Sequence, residues 1–264
     1  MRIIQAPLLA GFDHGFTTRE GGSSAAPFDA LNLGGLVGDD PARVAGNWAR
    51  LERATGLRFA RVAQVHGARV IRADAPTEPA EEADVVLSLA AGVAACVSVA
   101  DCVPILLADP GTGAVAAVHA GWRGTLAGAA AEAVRALAAE AGAPAARLLA
   151  SVGPSIGPCC YEVSADLAAR FGAEIDPAVV RGAERPRLDL WAANVAVLRA
   201  AGVPPDRVEV LRRCTSCEPA TFFSHRRDAG RTGRQVAFIA PRAPTPAGGA
   251  SLTKTATHLE FSEF

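Results

Sequence analysis

Apolar residues along the chain fall into two patterns. Recurrence every three or four positions predicts an amphipathic helix, whereas runs of four to eight between glycines and prolines predict buried strands. Helical spacing occurs in PARVAGNWARLERATG, with Val44, Trp48 and Leu51 on one face. It recurs in GTLAGAAAEAVRALAAEAG, where Leu126, Ala130, Val134 and Leu137 form a stripe that stops near Gly142. SADLAARFG and LDLWAANVAVLRAAG read the same way. VPILLAD, AVAAVH, RLLASVG, VEVLR and RQVAFIA read as strands, and RVAQVHGARVIRAD as strand, turn and strand. GFTTREGGSSAAPFDALNLGG, rich in small and polar residues, predicts loops between short strands. Strands and helices alternate without the repeats of a solenoid or a strict βαβ rhythm, so the expected fold class is α/β, an α+β sandwich with a mixed β-sheet flanked by helices. Residues 1–240 are expected to form a single domain. From 241 to 264 the composition shifts to Pro, Ala, Gly, Thr and Ser, which predicts a flexible tail.

VPILLAD and AVAAVH flank Pro110-Gly111 and predict a hairpin. A turn centred on that dipeptide sets Cys102 opposite His119, on one face, with Cβ atoms about 5 Å apart. Two ligands of one metal ion, each bonded at roughly 2.0–2.3 Å, need about that spacing. His66, in AQVHG at the end of a short apolar run, supplies a third donor. Three protein donors with a fourth tetrahedral position open are the pattern of a catalytic zinc site, where bound water ionises near neutral pH. Taken singly, each residue also reads as a buried thiol or a locally bonded histidine. Asp101 either orients a ligand and moves a proton or caps a strand start.

Other motifs are less decisive. Cys214-x-x-Cys217 fits a redox pair or half of a structural zinc site completed by Cys159 and Cys160. A vicinal pair and the lack of a second C-x-x-C favour plain buried or loop thiols. SHRRDAGRTGRQ gathers Arg226, Arg227, Arg231 and Arg234 around glycines, a composition suited to a phosphate or merely to a solvated loop. Arg19 in TTREGG and Arg123 in GWRGT carry the same two readings. GTGAVA is followed by an expected strand rather than a helix, so it is a turn and not a dinucleotide site; no Walker A motif occurs.

Composition narrows the partners. A formal net charge of −1 gives no electrostatic footprint for nucleic acid or anionic membrane, which favours small-molecule partners. No apolar stretch of about 18 residues occurs and the first residues lack a signal-peptide pattern, so a cytoplasmic location is expected. Six cysteines without such a signal predict reduced thiols. Five histidines are too few for a conventional multicopper oxidase.

GFTTREGGSS, LNLGGLVGDDPARVAGN, QVHG, ADCVPILL, AVHAGWRGT, GPSIGPCCYEV and FFSHRRDAGRTGRQVAFI follow one another over nearly the whole chain. Together they resemble the laccase-domain family, also called multicopper polyphenol oxidoreductase or purine nucleoside phosphorylase-like proteins, which includes peptidoglycan-editing-factor-type members. The resemblance implies a fold similar to that of a Cys-His toxin deamidase, and a metal held by His66, Cys102 and His119, with Asp101 among the catalytic residues. It implies zinc, with copper as the alternative metal, and phosphorolysis of adenosine, inosine, guanosine and methylthioadenosine together with adenosine deamination. Arg19, Asn32, Gln64, Arg123 and Arg226 stand in matching motifs and are the candidate contacts to nucleoside and phosphate. Alternatives within the family are a Cys-His hydrolase editing a peptidoglycan precursor, with Cys102 as nucleophile, and a copper polyphenol oxidase. The expected assembly is a monomer or weak homodimer. Ser155 stands where the family pattern often has cysteine, which argues against a mechanism needing a thiol there.

Overall fold

Burial of both faces of most strands explains why their sequences run apolar without alternation. The computed structural model describes residues 1–242, so the tail expected over 241–264 lies, apart from its first two residues, outside the described residues. In chain order the elements are β1 (Ile3–Ile4), β2 (Asp13–Thr17), α1 (Pro41–Thr55), β3 (Arg58–Ala60), β4 (Val70–Arg72), β5 (Val85–Ser88), β6 (Val93–Val99), β7 (Val103–Ala108) and β8 (Val115–Ala120). They continue with α2 (Trp122–Leu126), α3 (Ala129–Ala141), β9 (Leu149–Val152), α4 (Ala165–Glu174), β10 (Val180–Arg181), β11 (Arg187–Leu188), α5 (Leu190–Ala200), β12 (Val208–Val210) and β13 (Gln235–Ala240).

The expected mixed sheet flanked by helices takes the form of two mixed sheets. One has strand order β1-β2-β13-β6-β3 and the other β12-β9-β7-β8-β5-β4, with β10-β11 a separate ribbon. Alternate residues of each strand serve different layers. Ala95 and Val97 of β6, with Ala237 and Ile239 of β13, pack against Leu106, Val115 and Ala117 of the facing sheet. The opposite faces of the same strands, Ala94, Cys96, Val236 and Phe238, are covered by Val44, Trp48 and Leu51 of α1. On the far side, Ile105, Leu107, Ala116 and Val118 lie under α3 and α5 through Val134, Leu137, Trp191 and Leu198.

Local chemistry accounts for the helix ends. Asp40 caps α1 by accepting the Ala42 amide at 2.9 Å, Pro41 occupies the first helical position, and Gly56 at φ +70° ends the helix. The single helix expected from Gly124 onward is instead two, α2 and α3, because Gly128 turns left-handed at φ +77° between them.

The central hairpin forms, in a register two residues away from the tight-turn expectation. Pro104, not Cys102, opposes His119, and the loop from Asp109 to Ala114 is wider than a two-residue turn. Asp109 dictates that width: its carboxylate accepts the Thr112 amide and hydroxyl and a bidentate Arg147, and its own backbone bonds Gly113 and Ala114. Since side chains alternate with period two, the shift leaves Cys102 on the same face as His119. It places Cys102 just before β7, next to Gly121.

Candidate active site

His66, Cys102 and His119 come together where β8 ends and β7 begins. One donor atom from each lies within 4.8 Å of the others. The two imidazoles meet edge to face with centroids 4.8 Å apart. His119, at the end of a fully buried strand, is 3% exposed, whereas His66 is exposed on a loop and Cys102 is partly covered. His66 at φ +62° and Asp101 at φ +88° are non-glycine residues in left-handed backbone. Such conformations cost about 1–3 kcal/mol each and persist where surrounding bonds hold them.

Asp84 provides that hold for His66. Its carboxylate, completely buried at the head of β5, accepts the amides of His66 at 2.9 Å and Gly67 at 2.6 Å. The same carboxylate accepts Nδ1–H of His119 at 2.7 Å, which leaves Nε2 as that ring's available donor atom. Burial pushes the Asp84 carboxyl up, but the His119 and amide hydrogen bonds outweigh it and hold the group below its usual range. For the Cys102 thiol, burial is likewise overcome by His119 and then His66, and the net direction is down. Burial alone would lower His119; the Cys102 sulfur and Asp84 raise it. Thiolate character beside imidazole is the electrostatic state that favours metal capture, and it is equally the state of a Cys-His nucleophile.

Asp101 commits its carboxylate to other loops. Its carboxylate accepts the Thr215 hydroxyl at 2.5 Å and the Arg226 amide at 2.6 Å, so it ties β7 to the two loops that follow β12. Arg226 is thereby set over the Tyr161 ring at 5.1 Å, and its guanidinium donates to the Glu162 carbonyl. An open cleft lined by Trp122, Cys160, Tyr161, Glu162, Leu167 and Arg226 adjoins this point. Burial pushes the Tyr161 phenol up, the nearby Cys102 and Asp101 add to it, and Arg226 and Arg123 pull it down, for a net value of about 12. Arg123 stacks on Trp122 at 4.3 Å.

The remaining sequence candidates engage their polar groups with neighbouring backbone and loop side chains. Arg19 donates to the Asp29 and Pro219 carbonyls and stacks on Phe223. Asn32 is buried with its amide bonded to Gly34, Asp39 and the Arg234 backbone. Gln64 pairs with the backbone of Ser98 through both its oxygen and its nitrogen. Asp84, Tyr161 and Thr215 are the residues that motif reading passed over. An aspartate opening the apolar run Asp84–Leu87 was the available signal for the first, because a carboxylate there must be buried and therefore bonded. By contrast His14, also buried, is fully satisfied by the Ala6 amide and Phe12 carbonyl.

Residues 13–242 match the family described as multi-copper polyphenol oxidoreductase laccase. The chain belongs to this family. Its relatives include a Deinococcus radiodurans protein named purine nucleoside phosphorylase, 44% identical over 90% of this chain and 92% of its own length. A Streptomyces coelicolor protein named purine nucleoside phosphorylase SCO2081 is 43% identical over 90% and 98%. The crystal structure of YlmD from Geobacillus stearothermophilus superposes with a TM-score of 0.84 at 39% identity, covering 90% of this chain and 94% of that one. Within the laccase-like family, then, this chain has relatives named for nucleoside phosphorolysis and carries a candidate metal-binding set at His66, Cys102 and His119.

Proposed function

We propose that residues 1–240 form one laccase-like domain that acts as a zinc-dependent purine nucleoside phosphorylase, with methylthioadenosine phosphorolysis and adenosine deamination at the same centre. The observation that carries this reading is the donor set itself: one sulfur and two ring nitrogens within 4.8 Å, backed by a buried carboxylate on His119 Nδ1. Such a set fits zinc: a thiol already drawn toward thiolate, a histidine oriented by a carboxylate, and only three protein donors. When bound there, zinc would supply a Lewis-acidic charge at an open coordination face.

The chain's own groups account for the rest. In phosphorolysis a phosphate oxygen bonds to C1′ of the ribose, the C1′–N9 bond breaks with its electron pair leaving on the purine, and the purine takes up a proton. The anionic nucleophile calls for fixed positive charge beside the centre. Arg226, its loop held by Asp101 and its guanidinium stacked on Tyr161 of the adjoining cleft, is assigned that role, with Arg123 on Trp122 as the second cation. Tyr161 keeps its proton at neutral pH and offers the cleft a hydroxyl donor beside an aromatic face for the base. Asp84 holds His66 and His119 in place, and Asp101 positions the arginine loop.

Adenosine incubated with the purified protein, with and without phosphate, tests the reading by mass spectrometry of the products. Phosphate-dependent adenine and ribose-1-phosphate, and phosphate-independent inosine, are expected, both lost in His119→Ala. The drawn-down thiol of Cys102 beside His119 favours a second reading, a Cys-His hydrolase of an amide in a cell-wall precursor. Unchanged adenosine, combined with full amidase activity after zinc removal, would install that reading instead.

A further inference from the structure

The four cysteines Cys159, Cys160, Cys214 and Cys217 converge on one point of the surface beside the cleft, their sulfurs all within 4.8 Å of one another. Cys217 Sγ lies 3.5 Å from Cys159 Sγ and 3.3 Å from Cys160 Sγ. Two sulfurs on one zinc, each bonded at about 2.3 Å, stand about 3.8 Å apart at a tetrahedral angle. A disulfide would join Cys217 to one of these partners at about 2.0 Å and turn it from the other. Near-equal approach to both is the geometry of a shared centre.

The backbone removes the objection that neighbouring cysteines make poor joint ligands. Cys159 and Cys160 lie in a turn closed by the amides of Cys160 and Tyr161 on the Gly157 carbonyl, and this turn brings both sulfurs onto the same side. Opposite them, Cys214 and Cys217 form a second turn, with the Cys217 and Glu218 amides on the Cys214 carbonyl. The Gly157 amide donates to Cys214 Sγ at 3.2 Å, so one segment already treats the other's sulfur as an acceptor. Ser155 and Thr215 zip the two segments together through the Ser155 amide on Arg213 and the Thr215 amide on Ser155.

We propose that these four cysteines form a second, structural zinc site, closed by four thiolate ligands and distinct from the His66–Cys102–His119 centre. Its place in the fold says what it does. Thr215, the residue after Cys214, holds Asp101, and Tyr161, the residue after Cys160, carries the ring under Arg226. A zinc here clamps the loop that lines one wall of the cleft to the loop that holds Asp101. The inference stands on these sulfurs alone and does not depend on the nucleoside reading.

The test is zinc content per chain of the full-length protein, by plasma mass spectrometry, with thiol reactivity toward Ellman's reagent as the second readout. About two zinc equivalents are expected in the wild type and about one in a His66→Ala/His119→Ala variant, with the four clustered thiols protected until a chelator or mercurial releases the metal. Cys160→Ser/Cys217→Ser should also fall to about one and lose that protection. Should this variant fail to fold, cobalt(II) bound by His66→Ala/His119→Ala, whose cluster is intact, gives the answer: intense thiolate-to-cobalt charge-transfer bands support the site. A His66→Ala/His119→Ala protein without zinc and with freely reactive thiols, a cobalt spectrum lacking those bands, or a disulfide within the cluster in metal-free intact mass would overturn it.

Discussion

Gly121 shows how narrowly single residues define the candidate metal centre. Its φ of −70° suits any side chain, so the constraint is space: a Cβ there would stand 2.6 Å from Cys102 Sγ. The sulfur is the end of a flexible side chain and moves more easily than the strand. Gly121→Ala is therefore expected to fold with a melting temperature near wild type while losing zinc from the His66–Cys102–His119 centre. Full occupancy of that centre in the alanine variant would show that Cys102 is not held against Gly121 as a ligand. Asp84 acts through its neighbours. Asp84→Asn keeps the shape but exchanges one acceptor oxygen for a donor, so either His119 Nδ1 or a loop amide loses its partner. Metal affinity at this centre should fall about 10–100-fold. A competition titration with a chromogenic chelator measures it, and an unchanged affinity would reduce Asp84 to a tether for the His66 loop.

At the scale of elements, the β7–β8 hairpin depends on a carboxylate at its closed end. Burial pushes Asp109 up, but the Arg147 hydrogen bonds, those of Thr112 and the Arg147 charge outweigh it and hold the carboxyl at about 2. A folded value below the unfolded one means stability that is complete above about pH 5 and lost as pH falls through the folded value. With the partly exposed Arg147 screened by solvent, the contribution is about 1–2 kcal/mol. Urea unfolding of Arg147→Gln should show that deficit at pH 7 and a smaller one near pH 3; an equal deficit at both would assign the loss to packing instead. This hairpin also marks how far the sequence was legible. Turn and strand signals located the two strands, and the period of two preserved the shared face of Cys102 and His119. The register was not readable, because it follows from Asp109 reaching Arg147, 38 residues away. Strands β5 and β6 merge into one apolar run whose only internal turn signal is Gly92, and nothing in it shows that Ala94 and Ala95 serve different layers. The His66, Cys102 and His119 set was named through motif resemblance, and the fold brings these three side chains together as a candidate donor set. Asp84 was not, and the meeting of Cys159 and Cys160 with Cys214 and Cys217 was raised from sequence but set aside in favour of plain thiols, since both depend on contacts between segments far apart in the chain.

For the molecule as a whole, the candidate centre gathers its donors from three separated segments: the loop after β3, the bend before β7 and the end of β8. Unfolding disperses them, so zinc held by these donors would favour the folded chain and its binding free energy would add to stability. At a free zinc concentration 100 times the dissociation constant the gain is about 2.7 kcal/mol, which for a chain of this size corresponds to roughly 5–10 °C in melting temperature. His66 is the donor to remove, since it is exposed and its loss leaves both the core and the four-cysteine cluster untouched. Melting temperature should therefore rise with added zinc further in the wild type than in His66→Ala, and the difference should grow with the logarithm of zinc concentration. Both proteins retain Cys159, Cys160, Cys214 and Cys217, so any stabilisation from that cluster cancels in the comparison. Two parallel zinc titrations would mean that His66 is not a ligand and that the metal centre must be sought elsewhere, whereas diverging curves would tie the stability of the whole fold to the donors that define its candidate chemistry.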